Sequence, residues 1–117
     1  MYVSFTLTLL LVCFACAETN SDRRLKDDIK QVGRSPSGIP IYTFKYRDDM
    51  ADFLRDGVDT NSVYIGAMAQ DLLDLVPEAV MTNPKTGYYD VDYSKIDLDF
   101  RKVKIDWEVH LRCVALD

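Results

Sequence analysis

Cysteine is nearly absent once the first 17 residues are set aside. Cys13 and Cys16 lie in that stretch and leave Cys113 alone, and one thiol cannot close an intrachain bridge. This excludes a disulfide-stapled small domain, so packing or the assembly of several copies must hold the fold. Histidine is rarer still: His110 stands alone on the polar side of an alternating segment, and with Cys113 it makes no metal site of ordinary composition. No motif supports a Ser-His-Asp triad through it. The glycines, at 33, 38, 57, 66 and 87, are too scattered to form a phosphate-cradling loop. Positive charge is also in short supply, and a net charge of −5 argues against a nucleic-acid partner. Arg23, Arg24, Lys26, Lys30 and Arg34 do cluster, but Asp22, Asp27 and Asp28 interleave with them, which reads as a mixed solvated face. Asp90, Asp92, Asp97 and Asp99 lack the spacing of a calcium loop and read as the polar side of strands. No cofactor or metal is expected.

Long apolar runs are missing too. The longest, "FTLTLLLVCFACA" over 5–17, falls short of the roughly 20 residues that a membrane span needs. It has the length of the apolar part of a secretory signal, and Ala15-Cys16-Ala17 supplies small residues for cleavage, although no Lys or Arg precedes Arg23. The expected organisation is a leader over 1–17 and one domain over 18–117. The location is secreted or periplasmic if the leader is a signal peptide, and otherwise associated with a virion tail fibre.

What is present alternates between helix and strand patterns. Leu25, Ile29 and Val32 recur at four- and three-residue steps, which predicts a short helix over 22–32 with Ser21 or Asp22 as its N-cap and Gly33 at its end. "IPIYTFKYR" (39–47) alternates as a strand. The acidic stretch 48–62 reads as a loop with one helical turn. A short strand (63–66) then leads to a helix that Pro77 terminates, with Met68, Leu72, Leu73 and Val76 on its apolar face. "EAVMT" and "GYYDVDY" form a hairpin about "NPKTG". From Val103 to Cys113 apolar and polar residues alternate strictly, a strand signal. The whole is α+β: a small mixed domain of about five short strands and two short helices.

Ser21 and Lys26 raise a separate question. A lysine can activate a serine hydroxyl when burial keeps its amine neutral. Five residues apart on one regular helix, the two side chains point about 140° away from each other. A dyad therefore requires Ser21 at the cap or before the helix, or a partner from another subunit. On spacing alone, Ser21 caps and Lys26 is solvated.

The blocks "SDRRLKDDI", "GIPIYTFKYR", "YIGAMAQDLL", "PEAV" and "GYYDVDYSKIDLDF" follow one another in that order over residues 21–100. In this combination the chain resembles the peptidase S74 family, the intramolecular chaperone domain at the C-termini of phage tail fibres and tail spikes. It is closest in style to the compact bacterial tail fibre domain. The resemblance implies a domain that trimerises a β-rich fibre during folding and then cuts itself free just before a serine. It implies Ser21 as nucleophile, Lys26 as general base, Asp22 in a positioning role and Asn20–Ser21 as the scissile bond; such a cut also needs an oxyanion donor, for which Arg23 or Arg24 is a candidate. The partners implied are other copies of the chain in a homotrimer, and a fibre protein. Tyr42, Tyr46, Tyr88, Tyr89 and Trp107, read as exposed, suit such an assembly. Two further readings stay open: a non-catalytic exported trimerisation or adhesion module carrying a relic motif, and a fragment of a split fibre gene.

Overall fold

The computed structural model describes residues 18–103. Seven strands lie in two antiparallel sheets. In chain order they are β1 (Glu18–Asn20), β2 (Lys26–Arg34), β3 (Pro40–Tyr46), β4 (Tyr64–Gly66), β5 (Val80–Thr82), β6 (Tyr89–Asp92) and β7 (Arg101–Lys102), with helix α1 (Ala69–Leu75) between β4 and β5. One sheet runs β1-β6-β5 and the other β2-β3-β4-β7. Short 3-10 turns occupy Arg23–Leu25, Asp48–Phe53, Pro77–Ala79 and Tyr93–Lys95. The architecture is the α+β mixture that the sequence implies, with more and shorter strands.

Strand β3 is the spine of the larger sheet. Its alternation buries Tyr42, Phe44 and Tyr46 on one side, where they join Leu25, Tyr64 and Met68 in one core cluster. Each such side chain, fully buried, contributes about 1.5–3 kcal/mol relative to exposure. Phe44 meets Tyr46 edge-on at 5.4 Å between ring centroids, and Tyr46 meets Tyr64 at 5.2 Å. Tyr42 and Tyr46 are therefore core residues, not the exposed aromatics the sequence suggested. A second cluster gathers Ile39, Ala67, Ala69, Leu72, Val91 and Leu98 between α1 and the smaller sheet. Helix α1 stops at Pro77 as the sequence requires, but Leu73 on its expected apolar face is 40% exposed. The β5–β6 hairpin is also as read: Asn83 accepts from Lys85 N, and Gly87 takes the left-handed backbone (φ 78°) that a turn residue without Cβ adopts easily.

The helix expected over 22–32 is absent. Asp22 caps a single 3-10 turn, Arg23–Leu25, and from Lys26 the chain is strand β2. Two register shifts against β3, between Asp27 and Lys30 and between Gln31 and Gly33, each insert an extra residue, and Asp28 takes a positive φ of 51°. Leu25, in the 3-10 turn, and Ile29, in β2, pack on one core cluster without a helix, because a spacing of four returns to the same side in a strand as well as in a helix. Val32, the third member of the supposed stripe, is 59% exposed. The leader expected over 1–17 and the alternating tail from Lys104 onward, with Trp107, His110 and Cys113, lie outside the described residues.

Candidate functional site

Small domains seldom bury polar side chains without a reason. Here Asn20, Ser21, Asp22, Lys26 and Asp90 are all buried, and they sit together where β1 passes into the 3-10 turn between the two sheets.

The peptide joining Asn20 to Ser21 is clamped on every side. Tyr46 Oη donates to the Asn20 carbonyl at 2.6 Å. The Ser21 N–H donates to the Tyr89 carbonyl at 3.2 Å, and the Ser21 carbonyl accepts from Ala69 N at 2.8 Å, which satisfies the first free N–H of α1. The Asn20 side chain is also fixed. Its Oδ1 accepts from Arg55 N at 2.8 Å and its Nδ2 donates to Asp90 Oδ1 at 3.3 Å, while Arg55 Nη2 holds the other Asp90 oxygen at 2.8 Å.

Ser21 is fully buried, and its Oγ lies 2.9 Å from Tyr93 Oη. Tyr93 Oη accepts from Ala67 N at 2.9 Å, so its own proton is available to the serine oxygen. There is no room for a side chain beside this link. A Cβ on Gly66 would stand 2.7 Å from Tyr93 Oη and 3.1 Å from Phe100 Cδ1.

Lys26 enters from the start of β2. Its Nζ donates to the Ala67 carbonyl at 2.9 Å and lies 3.9 Å from the centre of the Phe44 ring. Burial in this aromatic pocket drives its pKa well below the ordinary 10.5; the Arg23 charge adds to the shift and the Asp22 carboxylate opposes it. Lys26 thus binds the carbonyl of Ala67 and Tyr93, the partner of Ser21, binds its N–H, so that Ser21 and Lys26 are linked through Tyr93 and Ala67, although among the described residues no hydrogen bond joins them directly. The intervening 3-10 turn is what brings them to one place, since a regular helix would have separated them.

Asp22 holds the chain just after the serine. It accepts from Arg24 N, Nε and Nη2, from Gln70 Nε2 and from Tyr89 N, at 2.7–3.0 Å. Burial tends to raise its pKa, but these donors outweigh burial and hold it at about 2. Arg24, bound to Asp22 and stacked 4.8 Å from the Tyr88 ring centre, is committed elsewhere than the Asn20 carbonyl. Arg23 lies over Tyr42. The group that does reach that carbonyl, Tyr46, and the one that reaches the serine, Tyr93, had no part in the site expected from the sequence, which placed Tyr46 among exposed aromatics. A tyrosine on the buried side of a strand needs a partner for its hydroxyl, and in Tyr46 that signal was available.

Among the described residues no group of three His, Cys, Asp or Glu could hold a metal ion, and no helix is long and apolar enough to cross a membrane. The family whose sequence model matches is peptidase S74, described as chaperone of endosialidase, over residues 21–81, more than half of the chain. No curated protein and no solved structure matches the chain.

Proposed function

The chain belongs to the chaperone-of-endosialidase family, and from that membership we propose that it is a tail-fibre-type intramolecular chaperone domain that cuts itself at Asn20–Ser21. Ser21 Oγ attacks the Asn20 carbonyl carbon. The C–N bond breaks as the C–O ester forms, and Lys26, whose pKa burial lowers, takes the hydroxyl proton and returns it to the departing Ser21 amine. Water then opens the ester and leaves a carboxylate on Asn20. Nucleophile and target are adjacent in the chain, so proximity is built in. Asp22 fixes the backbone beyond the serine and touches neither reacting atom. The observation that carries this reading is the buried amine of Lys26, held beside the Phe44 ring and depressed in pKa, within one residue of the fully buried serine's partner. The active assembly is a homotrimer on a fibre protein, exported if residues 1–17 act as a signal and otherwise virion-associated.

A second reading, a non-catalytic trimerisation or adhesion module with a relic motif, draws on one observation: Ser21 Oγ is bound to Tyr93 rather than to Lys26. Intact mass of the expressed chain separates the two. Self-cleavage gives a product that begins at Ser21 and disappears in Ser21→Ala, whereas signal removal after Ala17 gives Glu18 in both proteins. A first residue of Glu18 or Met1 in both ends the first reading.

A further inference from the structure

We propose that the Tyr46 hydroxyl is a catalytic group of this reaction, the donor that stabilises the oxyanion formed on the Asn20 carbonyl when Ser21 adds to it. The inference rests on the self-cleavage reading and adds to it the group that bears the developing charge.

Geometry comes first. The donor is already 2.6 Å from the oxygen that becomes negative. When the carbonyl carbon turns tetrahedral that oxygen stays bonded to it and moves little, so the donor needs no search for its target. The bond changes from neutral to charge-assisted as the reaction proceeds, and charge-assisted bonds are roughly twice as strong. The gain therefore falls mainly on the transition state, which is what accelerates a reaction.

Pre-organisation comes second. Tyr46 is 2% exposed and is gripped edge-on by Phe44 and Tyr64, so its ring cannot turn away. Burial, with smaller effects from Tyr93, Tyr64 and Asp90, pushes its pKa well above 10, so the phenol keeps its proton and remains a donor. Asn20, Ser21 and Tyr46 are almost wholly buried, and surroundings of low dielectric strengthen the bond further. The other end of the scissile peptide is held in the complementary sense, its N–H on the Tyr89 carbonyl. Atoms balance without a new reagent: Tyr46 donates a hydrogen bond and keeps its proton, while Lys26 carries the transferred one.

The test is a time course of cell-free translation of the full chain, with cut and uncut forms resolved by mass. Tyr46→Phe should slow the appearance of the Ser21-initiated product by about 10²–10³-fold. Tyr64→Phe removes a hydroxyl from the same aromatic cluster, one that accepts from Asp59 N and does not touch Asn20, and it should cut at the parental rate. Equal slowing of the two variants would reduce Tyr46 to a packing residue and overturn the inference. Should Tyr46→Phe fail to fold, 3-fluorotyrosine at position 46 keeps the shape and makes the phenol more acidic. Cutting should then quicken several-fold, and an unchanged rate overturns the inference. Parental cutting with Tyr46→Phe sinks this inference alone; a parent chain that never yields the Ser21 product sinks the self-cleavage reading with it.

Discussion

Lys26 and Tyr46 are direct partners across the β2–β3 ladder. That single cross-strand pair delivers an amine to the Ala67 carbonyl and a phenol to the Asn20 carbonyl. Residues directly opposite on antiparallel strands hold their Cβ atoms about 4.5–5.5 Å apart, so the relative position of these two groups is fixed by backbone pairing. The serine comes from elsewhere, from the segment that follows β1, which is tied to the rest by the bond from Ala69 N to the Ser21 carbonyl and by the bonds of Ser21 N and Asp22 to Tyr89.

The first prediction concerns the state of Lys26. Its folded pKa is depressed below 10.5, chiefly by burial. Between the folded and unfolded values the unfolded chain binds more protons, so stability rises with pH across that window. The penalty is in full force below the folded pKa and disappears above 10.5. Lys26→Met removes it. Compared on chains kept intact by Ser21→Ala, the methionine variant should gain most over its parent at acidic pH, and the gain should shrink as pH approaches 10.5. In the cleavable chain the rate of cutting should climb with pH and level off well below 10.5, and Lys26→Met should lower it by about 10²–10⁴-fold, the usual worth of a general base. Urea melts across pH check the first statement; a pH-independent difference would mean a solvated amine.

Asp22 has the opposite sign. Its pKa falls from 3.8 to about 2, so its stabilisation is present above pH 3.8 and is lost as pH falls toward 2. A shift of this size corresponds to about 2 kcal/mol. Arg24 holds the largest share of the lowering, but it is largely exposed and solvent weakens that ion pair, so the half-buried donors Tyr89 N and Gln70 Nε2 also count. Asp22→Asn should destabilise the domain by about 1–3 kcal/mol at pH 7 and by almost nothing near pH 2. Cutting should slow but persist, because Asp22 touches no reacting atom. Urea unfolding at the two pH values reads the first effect and the mass time course the second.

How much of this was legible in the sequence varies by element. Strand β3 was legible because Tyr42, Phe44 and Tyr46 alternate with partly covered residues on a strand that is paired on both sides. Helix α1 and the β5–β6 hairpin were legible because Pro77 and the Asn83–Gly87 turn punctuate them. Strand β2 was not, since the four-residue spacing of Leu25 and Ile29 fits a helix face and a strand face alike, and the two bulges against β3 leave no regular alternation to tell them apart. At the site, sequence order carried Asn20, Ser21, Asp22 and Lys26 to one neighbourhood. The contributions of Ala67, Tyr89 and Tyr93 come from residues 41 or more positions away, brought in by tertiary packing that no local pattern encodes.

Gly66 tests whether the Tyr93–Ser21 link matters. A Cβ there would stand 2.7 Å from Tyr93 Oη, closer than real contacts allow. Gly66→Ala should destabilise the domain by about 1–3 kcal/mol through overpacking and slow cutting at least tenfold by displacing the hydroxyl that holds Ser21. Tyr93→Phe removes the clashing oxygen. The double variant should be more stable than the sum of the single effects, with a coupling of about 0.5–3 kcal/mol. Urea unfolding of the four chains measures it, and simple additivity would show that the two positions do not meet.

The last prediction concerns which residue the site accepts before the cut. Asn20 fills its position with both ends of its amide in use, Oδ1 receiving Arg55 N and Nδ2 donating to Asp90. Asn20→Asp keeps the acceptor but sets a second carboxylate against the buried Asp90, a like-charge pair that also lacks the bridging donor. The backbone should shift to part them, moving the Asn20 carbonyl off Tyr46, and cutting should fall by at least tenfold even though the scissile bond is chemically similar. Adding Asp90→Asn restores a donor opposite an acceptor with the polarity reversed. The double variant should recover most of the lost rate, apart from what the Arg55 bond to Asp90 supplies. The mass time course with all four chains decides it: no loss in Asn20→Asp would mean that the side chain before the cut is not read, and loss without recovery would mean that Asp90 is needed as an acid in its own right.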